Sequence, residues 1–65
     1  MQTVVAQIPG KYWTLNGAAD AYCRANFSPG TKRTALNENS EFKVSADGKW
    51  YRVSRDSFGF LIWRL

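Results

Sequence analysis

The chain has 65 residues, room for one domain that buries only about 60% of the surface its unfolded form exposes. Hydrophobic residues make up 45% and aromatics 15% of it, the composition of a folded domain and not of a disordered tail. Histidine is absent and Cys23 stands alone, which excludes an internal disulfide, a Cys–His dyad and a multi-cysteine or histidine metal site. Nine Lys/Arg against five Asp/Glu leave a charge of +4, which favours acidic partners and also serves solubility.

In chain order, residues 1–10 read as an extension or linker ahead of a domain over 11–65. Residues 1–9 lack the basic region and long apolar run of a signal peptide, and no stretch is long and apolar enough for a membrane-spanning helix. A role in the cell envelope or outside the cell would therefore need an export signal that this segment does not supply. Turn signals then recur at Pro9-Gly10, Asn16-Gly17, Ser28-Pro29-Gly30, residues 37–40, Asp47-Gly48 and Asp56-Ser57, the spacing of a small sandwich or barrel. Six strands are predicted between them, at 11–15, 21–25, 34–36, 41–45, 49–54 and 58–63. One helical rival, rich in alanine, spans 18–25.

The stretch from Glu41 to Val53 carries two alternating runs about an Asp-Gly turn, a β-hairpin. Side chains alternate across a strand, so Phe42 shares a face with Val44, Tyr51 with Val53, and Trp50 with Arg52. With Val53 in the core, Tyr51 points inward and Trp50 and Arg52 outward; whether Trp50 serves a groove or packing is open at this level.

From Tyr22 onward the order of these signals resembles a bacterial SH3 domain. Ala21-Tyr22-Cys23-Arg24 is similar to the family's strand ending in arginine, Ser28-Pro29-Gly30-Thr31 to the loop after it, and the run from Leu36 to Val44 to the leucine, turn and next strand. Trp50-Tyr51-Arg52-Val53 looks like the signature strand and Gly59-Phe60-Leu61 like the closing step. The resemblance implies an all-β fold, a small SH3-like barrel of five to six short antiparallel strands. Asn26-Phe27 enlarges the first loop, Phe60 stands where the family usually has tryptophan, and Asn39 takes the place of a turn glycine, a substitution that the left-handed tolerance of Asn permits.

Catalytic machinery is not visible. Without histidine the commonest general base is missing. The carboxylates form no acid/base pair, Asp47 and Asp56 being turn residues, and Pro29-Gly30-Thr31-Lys32 lacks the surroundings of a phosphate loop. Cys23 reads as an inward, inert thiol. The expectation is a binding module without enzymatic activity, cofactor or metal. From the family resemblance, its ligand would be a cell-wall (peptidoglycan) peptide or another envelope ligand, held in an aromatic and basic groove built from Asn26, Phe27, Trp50, Arg52 and Phe58. Phe27 and Phe58 are expected to be exposed, Trp13 and Trp63 to pack. Two other partner classes fit the residues: a protein partner docking on the apolar segment 58–63, whose edge could pair with another chain, and a nucleic acid held by Arg52 beside Trp50 with Lys32-Arg33.

Overall fold

Thr3–Pro9 forms strand β1, Leu15–Asn26 helix α1, Glu41–Lys43 strand β2, Trp50–Asp56 strand β3 and Gly59–Arg64 strand β4 in a computed structural model that describes residues 2–10 and 14–65. The strands make one antiparallel sheet in the order β1-β4-β3-β2. Its edges, β1 and β2, do not pair with each other, so the sheet is open and not closed into a barrel. The molecule is mostly β, with one helix on one face.

That helix corrects the strand expected at 21–25. Tyr22 and its neighbour Cys23 are both buried while Arg24 is exposed, a pattern strand alternation forbids and a helix produces. Ala18, Ala19, Tyr22 and Cys23 form the buried stripe, spaced as one helical face. The helix opens at Thr14, whose hydroxyl accepts from the Gly17 amide at 3.0 Å, an N-cap that satisfies a donor the first turn leaves free. It closes where the Phe27 amide donates to the Cys23 carbonyl at 2.9 Å. The strand expected at 11–15 falls mostly outside the described residues, and its last member, Leu15, begins α1.

Residues 3–9, expected to be an extension, supply an edge strand instead, paired with β4 from Thr3↔Arg64 to Pro9↔Gly59 with a bulge between Val4 and Ala6. The hairpin predicted over Asp47-Gly48 joins β2 to β3, in register Lys43↔Trp50, Phe42↔Tyr51 and Glu41↔Arg52. A second hairpin closes on Ser57-Phe58, between Asp56 and Gly59. The segment 58–63, offered above as a docking edge, is for the most part β4, an interior strand with neighbours on both sides.

Inward side chains of β1, β3 and β4 meet α1, and Phe42 of β2 joins the same core through Tyr51. Phe42, Tyr51, Val53, Phe60 and Ile62 are buried with the helix stripe, and Ala6, Ile8, Leu15, Phe27 and Leu36 pack around them. Phe42 lies against Tyr51, ring centroids 5.6 Å apart, and Tyr51 against Tyr22 at 5.3 Å.

Residues 34–36, predicted as a strand, belong instead to the long connection from α1 to β2, which runs along the outer edge of β2. The Thr34 amide donates to the Lys43 carbonyl at 3.0 Å, the Lys43 amide to the Thr34 hydroxyl at 2.9 Å, and the Asn37 amide to the Glu41 carbonyl at 3.1 Å. Arg33 fastens this connection to α1: its guanidinium donates to Asp20 Oδ1 at 2.9 Å and to Asn16, and sits 5.7 Å from the Phe42 ring centroid. Ser40, not Asn39, takes the left-handed conformation in this segment, with φ of 59°.

Candidate functional site

The helix covers one face of the sheet, and among the described elements nothing covers the other. Residues pointing to that open face are fixed by register, because directly paired residues share a face. Lys43 pairs with Trp50; Glu41, Arg52, Trp63 and Val4 form a row across all four strands; Ser54, Leu61 and Gln7 form the next. On β2, β3 and β4 these residues alternate with buried neighbours such as Phe42, Tyr51, Val53 and Ile62.

Trp50 is the exposed ring of this face, 43% accessible. It borders a shallow depression of about 670 Å³ together with Lys49, Arg64, Leu65, Asn37 and Glu41. Arg52, in the adjoining row, is held in place: its guanidinium lies 5.6 Å from the Trp63 ring centroid and donates to Gln2 Oε1. Trp63 is fixed in turn by its indole N–H, which donates to the Ser54 hydroxyl at 2.9 Å. Trp63 therefore packs as expected, but on the outer face under an arginine and not in the core. Glu41, the acidic member of these rows, accepts from the Asn37 amide group at 2.9 Å. The Trp50 end is bordered by the cations Lys43, Lys49 and Arg52, a setting that attracts carboxylates and other anions.

The five residues expected to share a groove do not converge. Trp50 and Arg52 point to the open face. Phe58 is 77% exposed at the tip of the β3–β4 hairpin, at the far end of β3 from Trp50 and about 20 Å of strand away. Asn26 and Phe27 belong to the helix side: the Asn26 side chain donates to the Tyr22 carbonyl at 2.9 Å, and Phe27, expected to be exposed, is half-buried edge-on against Tyr22 at 6.0 Å. The loop placing both residues beside a groove followed from a strand at 21–25, and the helix removes it. Trp63 and Lys43 join the site in their stead; the alternation of Trp50 and Arg52 gave half of that surface, while the cross-strand register needed for the rest is not a local signal.

Arg33, paired above with Lys32 as a nucleic-acid contact, is committed to Asp20 and Asn16 inside the molecule. Cys23 is buried in α1, and burial pushes its thiol pKa up, which keeps it protonated and unreactive at neutral pH. Among the described residues no group of three or more His, Cys, Asp and Glu could hold a metal ion, and no helix is long and apolar enough to cross a membrane.

Beneath the Trp50 end, the Tyr51 hydroxyl donates to the Asp47 carboxylate in the β2–β3 turn. Burial pushes the Asp47 carboxyl up, but the bonds from Tyr51 and from the Lys49 amide, with the nearby Lys49 charge, outweigh it and hold the pKa below its usual value. Burial and the Asp47 bond raise the Tyr51 phenol, so it remains the donor. A depressed folded-state pKa contributes stability that is present above the unfolded value and lost as pH falls through the folded one. Asp47→Asn is therefore expected to lower the urea midpoint at neutral pH, with the gap to the parent closing in acid below the normal carboxylate range; equal gaps at both pH values would remove Asp47 from the acid response.

Compared with models of known protein families, with curated proteins and with solved structures, the chain matches none.

Proposed function

We propose that the protein is a non-catalytic binding module that takes an anionic ligand on its open sheet face, with Trp50 and Arg52 as the principal contacts. The observation that carries this is a large ring left 43% exposed at the end of an uncovered face bordered by cations. An exposed tryptophan supplies rigid apolar area at small entropy cost, and an arginine supplies a fork of donors matched to a carboxylate. Arg52 is already held by Trp63 and Gln2, so little side-chain freedom is lost when it engages a ligand.

A cell-wall stem peptide, or another carboxylate-bearing envelope ligand, suits this chemistry and is the ligand implied by the SH3-like order of sequence signals. On this reading the contacts are Trp50 and Arg52, with Phe27 on the helix side packed against the core. The finer proposal of an SH3-like barrel rests on that order of signals alone.

Retention on insoluble bacterial cell wall at low and high salt tests the proposal. The parent protein is expected to be retained at both, and Trp50→Ala to reduce the affinity at least about thirtyfold, the loss typical of a central tryptophan. Retention unchanged in the variant would remove the open face from the site. Absence of retention, together with steeply salt-dependent binding of a single-stranded oligonucleotide, would transfer the same face to nucleic acid.

A further inference from the structure

The two edges of the sheet are treated differently. The outer edge of β2 is occupied, its backbone and that of its flank bonded to Thr34 and Asn37 in the α1–β2 connection. Among the described residues, the outer edge of β1 has no element beside it in the sheet. Sheet edges are commonly blunted by lysines, inward charges, proline or a covering segment, and β1, Thr-Val-Val-Ala-Gln-Ile-Pro, has no charge at any position and its proline only at the last. Exposed apolar side chains gather along it: Val4 and Val5 are each 42% accessible, and Leu65, which follows β4, is 39%. Thr3, Val5, Arg64 and Leu65 line a depression of about 300 Å³ at this edge.

We infer that β1 is a self-association edge, at which a second copy of this chain adds its own β1 antiparallel to give a continuous eight-stranded sheet. A second copy is the occupant because an uncharged strand paired antiparallel about a twofold axis is complementary to itself. Each molecule carries +4, so two copies repel wherever charged surfaces meet, and β1 offers seven residues over which identical strands come together with no like charges opposed. An antiparallel pair related by a twofold axis is self-complementary, and it extends the antiparallel order that β1 already keeps with β4. With the axis normal to the sheet, both helices lie on one side and both Trp50 faces on the other. The bulge between Val4 and Ala6 twists the edge and shortens the ladder, so the dimer is weak and concentration-dependent.

Sedimentation equilibrium over a wide concentration range reads this directly, with far-UV circular dichroism to check folding. The parent is expected to shift from monomer toward dimer with concentration, and to do so more at high salt, because screening relieves the repulsion between two +4 molecules. Val5→Lys, which places a charge on the edge, is expected to weaken the dimer about tenfold or more. Should that variant fail to fold, hydrogen exchange on the parent serves: β1 amides not bonded to β4 gain protection with concentration, while those of β2 do not change. A parent that stays monomeric throughout, a folded Val5→Lys variant that dimerises equally well, or an association lost in Trp50→Ala would each overturn the inference. Ligand retention by the open face is a separate readout, so either proposal can fail alone.

Discussion

Gly59→Ala is expected to destabilise the protein by about 3 kcal/mol or more, a large part of the roughly 3–10 kcal/mol available to a domain of this size. Gly59 has φ of 140°, which side-chain-bearing residues rarely adopt, and a Cβ at this position would stand 2.3 Å from the Ile8 carbonyl oxygen and 2.9 Å from the Gly10 amide nitrogen. Both obstacles are backbone at the end of β1, so relief requires β1 to leave β4. Gly30 provides the control: its φ is 84°, but a Cβ there meets nothing within 4 Å, so Gly30→Ala carries only the conformational cost of about 1 kcal/mol. Urea titrations of the two variants check the difference, and equal costs would contradict the close approach of β1 to Gly59.

Phe42→Ala is expected to cost about 3–5 kcal/mol, the loss seen when a fully enclosed ring is truncated. Phe42 is completely buried although β2 is an edge strand of three residues. Tyr51 stacks on it, and the Arg33 guanidinium lies 5.7 Å from its centroid. Truncation thus opens a cavity beside Tyr51 and also removes the surface on which Arg33 rests, loosening the connection that covers β2. Phe58→Ala, which removes the same side chain from a hairpin tip 77% exposed, is expected to change stability by no more than about 0.5 kcal/mol. Denaturation midpoints of the two phenylalanine variants measure the contrast; comparable losses would mean that the tip is packed.

The sequence revealed what neighbouring residues decide. Alternation about Asp47-Gly48 gave the β2–β3 hairpin and the outward direction of Trp50 and Arg52, because both follow from side-chain period and turn chemistry within a dozen residues. Helix α1 was harder to see. Its alanines are visible over 18–25, but the Thr14 cap and Leu15, which complete the helix, lie outside that span. Strand β1 was hidden for another reason: its partner is β4, and no local pattern in residues 3–9 distinguishes a strand from an extended tail when the pairing residues lie fifty or more positions away. The candidate site divides along the same line. Trp50 and Arg52 were legible, whereas Trp63 joins them only through the Arg52↔Trp63 register, and Asn26 and Phe27 were misplaced with the helix that carries them.

The pairing of the first strand with the last also sets an order of assembly. Strands β2, β3 and β4 follow one another through short hairpins and can form a meander by local contacts, while Thr3 meets Arg64 only after a loop of nearly the whole chain has closed, at an entropy cost that grows with loop length. A nascent polypeptide emerging from the ribosome cannot complete this sheet until β4 has cleared the exit tunnel, so β1 waits through synthesis as an unpaired apolar segment. A circular permutant that joins β4 to β1 through a short linker and opens the chain within the α1–β2 connection would convert that pairing into a hairpin and fold faster than the native order.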